Sequence, residues 1–194
     1  MAMAYQMWRC ELRGEYCIID PPIIERIWEL NDGISRIGDF PDDVSCKMSS
    51  RYPKNIQLTD NLYGAGVPVI SLKLKKFLEK EIFSNRVEYL PMRIMNHKGR
   101  VASNDYFIMN VRDICDCIDL EKSGAEWNQI LPTLISRCKS LVLKNELIPE
   151  DYKIFRLKNW GYNILVRSDL VTLLQSIDFT GLEFLDITGY TGIG

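Results

Sequence analysis

The chain has 194 residues, 46% of them hydrophobic and 26% charged, with a formal net charge of −2. This balance excludes disorder for most of the length, and it lacks the concentrated basic character that counterion-driven nucleic-acid binding needs. No stretch approaches the roughly 20 apolar residues of a membrane-crossing helix, and the first 20 residues carry Arg9, Glu11, Arg13 and Glu15 in place of a signal-peptide apolar run.

A single domain of residues 1–194, kept in the cytoplasm, is therefore expected. Its six cysteines should be reduced and packed as small apolar groups. Charge is uneven along the chain. Residues 1–66 hold seven basic and ten acidic side chains, residues 67–112 nine and four, and residues 113–126 one and five.

In chain order, Tyr5 to Leu12 reads as a strand. Pro21-Pro22 followed by Ile23, Ile24, Ile27, Trp28 and Leu30 predicts a short helix, closed by Asn31-Asp32-Gly33. Residues 31–66 are rich in Gly, Pro, Asp, Asn and Ser and are expected to be irregular. Ser71 is the expected N-cap of a helix with Leu74, Phe77, Leu78 and Ile82 on one face and Lys73, Lys75, Lys76 and Lys80 on the other.

Val87 to Met95 predicts a strand, Asn96-His97-Lys98-Gly99 a hairpin turn, and Tyr106 to Val111 a long strand running on toward Ile118. Residues 121–137 read ambiguously, with Pro132 cutting short any helix there. Leu141 to Leu143, Tyr152 to Leu157 and Ile164 to Val166 predict strands, the last two joined through Asn159-Trp160-Gly161. Ser168 is the expected cap of a further helix, and Leu182 to Ile187 the last strand. Hairpins without regular strand–helix alternation predict an α+β class: an antiparallel hairpin-rich sheet packed with a few short helices.

Catalytic equipment is sparse. His97, the one histidine, lies in a turn with no nucleophile pattern near it, so a Ser-His-Asp arrangement is not indicated. Cys115 and Cys117 lack the second pair of a structural zinc site. In a strand, residues two apart share a face, so both thiols should point into the core. Asp113, Asp116 and Asp119 would allow a carboxylate-based enzyme, although a solvated edge explains them as well. Gly64-Ala65-Gly66 lacks the third glycine of a dinucleotide loop. No metal and no cofactor is expected.

One ordered series of motifs is informative as a set. It comprises Gly66-Val-Pro68-Val-Ile-Ser71 entering the lysine-rich helix, Val87-Glu88-Tyr89-Leu90-Pro91, Tyr106-Phe-Ile-Met-Asn110-Val111 and Asp116-Cys117-Ile118-Asp119. Leu141-Val-Leu143, Ile148-Pro149, Ile154-Phe155-Arg156-Leu157 and Phe179-Thr180-Gly181-Leu182-Glu183-Phe184 complete it. Over residues 64–187 this series resembles the eleventh family of immunity proteins from bacterial polymorphic toxin systems, with residues 1–63 less recognisable. The resemblance implies an α+β protein, without catalysis, that binds and neutralises a toxin encoded beside it. Its cognate toxin would be the partner, with no nucleic acid and no membrane. It hands over no binding site.

For that site the chain itself suggests the segment from Trp28 to Tyr63. Trp28, Phe40, Tyr52 and Tyr63 would anchor a partner, and Asp39, Asp42 and Asp43 would meet a basic toxin. A loop packed only by its own side chains is the rival reading. An adaptor without any toxin, or a carboxylate enzyme at Asp113 to Glu121, remain the alternatives in function.

Overall fold

The computed structural model describes residues 4–192. The strands are β1 (Tyr5–Cys10), β2 (Ser45–Lys47), β3 (Asn61–Leu62), β4 (Val69–Ser71), β5 (Val87–Met95), β6 (Val101–Val111), β7 (Ile114–Cys115), β8 (Glu126–Trp127), β9 (Ile135–Arg137), β10 (Ile154–Leu157), β11 (Trp160–Arg167) and β12 (Leu182–Asp186). The helices are α1 (Leu72–Glu81), α2 (Leu120–Ser123) and α3 (Ser168–Gln175), with 3-10 turns at Ile27–Asp32 and Asn145–Leu147.

The α+β class holds, and the hairpins divide between two sheets. The first has strand order β12-β1-β11-β10-β7 and the second β2-β5-β6-β4-β3; β8 and β9 form a separate two-stranded ribbon. Each large sheet is antiparallel except at one end, where β7 runs parallel to β10 and β2 parallel to β5. The β5–β6 hairpin turns at Asn96, whose Oδ1 accepts from the backbone N–H groups of Lys98 and Arg100.

Both sheets and two helices share a central apolar cluster. It joins Trp8, Ile154, Ile164 and Val166 of the first sheet to Ile70, Met109 and Val111 of the second, with Leu74 and Leu78 of α1 and Leu170, Val171 and Leu174 of α3. The other face of the second sheet packs Leu90, Met92, Ile94 and Ile108 against the chain from Cys17 to Met48. The other face of the first sheet packs Met7, Cys115, Phe155 and Leu165 against Cys117, Ile135, Cys138 and Leu141. Burial pushes the thiols of Cys115 and Cys117 up in pKa, as expected of sulfur packed among apolar groups.

Several local expectations need correction. The prolines at 21–22 open no helix; regular structure begins only at Ile27, because Pro22 and Ile24 are drawn into the core. Residues 31–66 are not wholly irregular, since β2 and β3 pair with β5 and β4 there. Ser71 caps α1 as expected, its Oγ accepting from Leu74 N at 3.2 Å. Ser168 does not cap α3: it is the first helical residue, and its hydroxyl donates to Ala4 O at 2.9 Å. The ambiguous stretch 121–137 is α2 followed by the β8–β9 ribbon. Leu141 to Leu143 contributes a single bridge, Leu143 to Ile118, in place of a strand.

Candidate functional site

The segment from Glu25 to Asp39 closes around one buried cation. Arg36 is 4% exposed. Its Nε donates to Asp39 Oδ1 at 2.9 Å, and its Nη1 donates to the carbonyls of Glu25 at 3.0 Å and Arg26 at 3.3 Å. Arg26 reaches Asp39 Oδ2 at 2.9 Å and Glu29 at 3.2 Å, which makes a four-residue ion network. The Arg36 guanidinium beside Asp39 holds that carboxyl below the usual carboxylate range.

The closed segment is fixed to the second sheet beneath it. Glu88 of β5 and Asn110 of β6 stand opposite each other in register. Glu88 Oε2 accepts from Arg36 N at 3.1 Å and from Asn110 Nδ2 at 3.1 Å, and Asn110 Nδ2 also donates to Ile34 O at 2.8 Å. Gly33 ends the 3-10 turn at φ 61, and a Cβ there would stand 2.6 Å from Arg112 O, so glycine is required at this close crossing.

This scaffold leaves large apolar side chains in water. Ile23, Trp28, Ile34 and Ile37 are all exposed, Trp28 at 62% and Ile23 completely. The sequence places Ile23 in the expected helix and marks neither Ile34 nor Ile37. The only signal of these two is an isoleucine outside any periodic pattern in a segment otherwise rich in turn residues. Exposed apolar groups carried on a rigid polar footing are the usual anatomy of a protein-binding surface.

The residues singled out from the sequence fall in different places. Trp28 lies on the 3-10 turn and Asp39 within the ion network. Phe40 is half-buried and packs against the core face of the second sheet, so it supports the segment from below. Asp42 and Asp43 are exposed just before β2, with no ion pair among the described residues. Tyr52 is half-exposed in the turn that follows Ser49, and Tyr63 stands half-exposed on the wall of a cavity beside β1.

The acidic residues after β6 do not converge. Asp113 pairs with Arg86 at 2.6 Å, Asp116 with Lys158 at 2.7 Å and Asp119 with Lys122 at 3.3 Å. Asp119 also caps α2 by accepting from Lys122 N at 3.1 Å, which lowers its pKa. Among the described residues no group of three or more His, Cys, Asp or Glu side chains could hold a metal ion.

A second exposed apolar group lies on the β8–β9 ribbon. Trp127, Ile130, Leu131 and Leu134 are all exposed there, and Asn128 Oδ1 shapes the tip by accepting from Ile130 N and Leu131 N. No helix among the described residues is long and apolar enough to cross a membrane.

A search of curated proteins finds no match to the chain. The model of the immunity protein family Imm11 matches residues 4–189, extending the likeness through the N-terminal third that the motifs alone left out. On a match of nearly its whole length, this chain belongs to the Imm11 family of immunity proteins.

Proposed function

We propose that this chain neutralises a cognate bacterial toxin, encoded beside it, by binding it in the cytoplasm, and that it turns over no substrate of its own. The surface offered is the one built on residues 23–63: Trp28 and Tyr52 as anchors, Asp42 and Asp43 as the steering charges, with Asp39, Phe40 and Tyr63 shaping it. The observation that carries this reading is the segment from Glu25 to Asp39. It holds exposed Trp28, Ile34 and Ile37 on a network fixed to Glu88 and Asn110, in a member of an immunity family. A surface held rigid before contact loses little entropy on binding. The separate pairing of Asp113, Asp116 and Asp119 favours binding over a carboxylate-based reaction.

Co-expression with the neighbouring toxin gene tests it. Growth should be rescued and the two proteins should co-purify. Charge reversal at Asp42 and Asp43 should slow association, because exposed charges act mainly on the on-rate. Asp39 is a poorer choice, since its reversal also breaks the network around Arg36. Unchanged association kinetics in Asp42→Lys/Asp43→Lys would remove this surface from the interface.

A further inference from the structure

β1 is shared unequally by its two neighbours. Its register with β12 runs on to Cys10–Leu182, whereas its register with β11 stops at Met7–Leu165. Where the two registers part, this end of β1 is tied to β3 of the second sheet. Asn61 Nδ2 donates to Arg9 O at 3.0 Å, Asn61 Oδ1 accepts from Trp8 Nε1 at 3.3 Å, and the Cys10 thiol donates to Leu62 O at 3.4 Å. Held against β3, the end of β1 leaves β11, and the first sheet forks between Cys10 and Tyr162, which the register would otherwise set opposite each other.

The fork opens into a cavity of about 850 Å³, walled by Trp8, Cys10, Tyr63, Pro68, Tyr162 and Glu183 among others. That is within the range of roughly 300–1,000 Å³ typical of ligand sites. Its backbone edges are those of an incomplete sheet. Glu11 N donates to Gly181 O at 3.0 Å, so the odd positions of β1 make the ladder with β12, and Cys10 turns its own N–H and C=O into the fork. Ser168 N donates to Ala4 O at 2.9 Å, which by the same alternation aims the backbone of Ile164 at the fork from the other side, beside the point where β11 shifts register against β10.

The rim is apolar and acidic. Leu12, Tyr63 and Tyr162 are each about half-exposed. Arg9 is engaged by Tyr190, whose ring it stacks on and whose hydroxyl it donates to. Glu183 has no ion pair among the described residues, and Glu11 reaches only Arg13 at 3.4 Å.

We propose that the fork receives an extended segment of the toxin, which adds a strand between β1 and β11 and carries a lysine or arginine against Glu183. This deepens the toxin-binding reading and rests on it. Two facing strand edges suit an extended chain, whose main-chain groups supply the hydrogen bonds while the flanking aromatics select side chains. A helix offers no free main-chain groups to such edges. The unpaired acid at the rim selects the charge.

The test is residue-resolved amide exchange on the full chain, alone and with a catalytically inactive form of the neighbouring toxin, together with the variant Glu183→Lys. Protection of the Cys10 and Ile164 amides should rise at least about tenfold in the complex. Glu183→Lys should weaken toxin binding about tenfold with the thermal midpoint unchanged, and Glu183→Gln should fall between the two. A complex that forms while both amides exchange as in the free protein overturns the fork and leaves the toxin-binding reading standing. No complex at all overturns both. Protection that grows with the concentration of this chain alone assigns the fork to a second copy and likewise overturns the proposal.

Discussion

Arg156 Nε donates to the backbone carbonyl of Val111 at 3.0 Å and so joins β10 of the first sheet to β6 of the second. The side chain is 1% exposed. Its Nη1 also donates to Gly161 O and to Asn31 Oδ1, which places one guanidinium at the meeting point of two sheets and the 3-10 turn. No carboxylate lies within ion-pair distance of it among the described residues. Burial pulls its pKa down to about 10, which leaves it charged at neutral pH. Two backbone carbonyls depend on this donor, and a buried acceptor left unpaired costs about 1–3 kcal/mol. Arg156→Met is therefore expected to lose roughly 3 kcal/mol in denaturant unfolding. Arg156→Lys, which keeps the charge without the fork of donors, should lose less. Wild-type stability in Arg156→Met would mean that relief from burying the charge offsets the lost bonds.

The same junction makes a prediction at Gly161. A Cβ there would fall inside the van der Waals envelope of Asn31 O, which belongs to backbone and cannot rotate away. Gly161→Ala must push the 3-10 turn off the sheet, and overpacking of this kind costs about 1–3 kcal/mol or more. The displaced turn carries Trp28, so toxin affinity should fall together with the unfolding midpoint. A variant of full stability and full affinity would show that the turn moves at no cost.

How far these features are legible in the sequence differs by element. α1 is readable because cap, period and polar face largely agree: Ser71, then Leu74 and Leu78 inward, with Lys73, Lys76 and Lys80 outward, whereas Lys75 turns back over the Tyr89 and Phe107 rings. The β5–β6 hairpin is readable from two apolar runs around Asn96 to Gly99. The parallel pairings of β2 with β5 and β7 with β10 are not, because strands of two or three residues carry no period and depend on partners far along the chain. The candidate surface is half legible. Trp28, Asp42 and Asp43 stand out by residue type in a loop-like stretch. The inward turn of Phe40 depends on an apolar cluster assembled from distant parts of the chain, and the backbone at Ile34 and Arg36 is fixed by Asn110 and Glu88 across separations of 76 and 52 residues. The fork between β1 and β11 lies where Asn61, 52 residues later, contacts Arg9, and it has no local signal at all.

Asp39 gives the candidate segment an acid limit. Hydrogen bonding from Arg36, with the charges of Arg36 and Arg26, holds its pKa below the ordinary value of 3.8. A carboxylate with a lowered folded pKa adds stability above its unfolded pKa, and that contribution disappears as pH falls through the folded value. Closure of residues 25–39 should therefore be constant from neutrality down to about pH 4 and weaken only below it. The side chain is half-exposed, so solvent screening keeps the effect small and local. Asp39→Asn should show at pH 7 the faster amide exchange of this segment that the wild type shows only in acid. Equal exchange in the two proteins at pH 7 would assign closure to Glu88 and Asn110 alone.

Trp28 and Tyr52 separate binding from folding. Both are exposed, at 62% and 48%, and neither belongs to an apolar core cluster. Truncating an exposed side chain away from caps and buried networks usually changes stability by no more than about 0.5 kcal/mol. An aromatic anchor at the centre of an interface is worth roughly 2 kcal/mol or more, a factor of about thirty in affinity. Trp28→Ala should therefore keep its unfolding midpoint and lose at least tenfold in toxin affinity, chiefly through faster dissociation. Tyr52→Ala should do the same to a smaller degree, since phenol buries less area than indole. The apolar tip of the β8–β9 ribbon supplies the control. Ile130→Ser alters a still more exposed side chain on a different element, so loss of affinity there with no effect at Trp28 would transfer the interface to the ribbon.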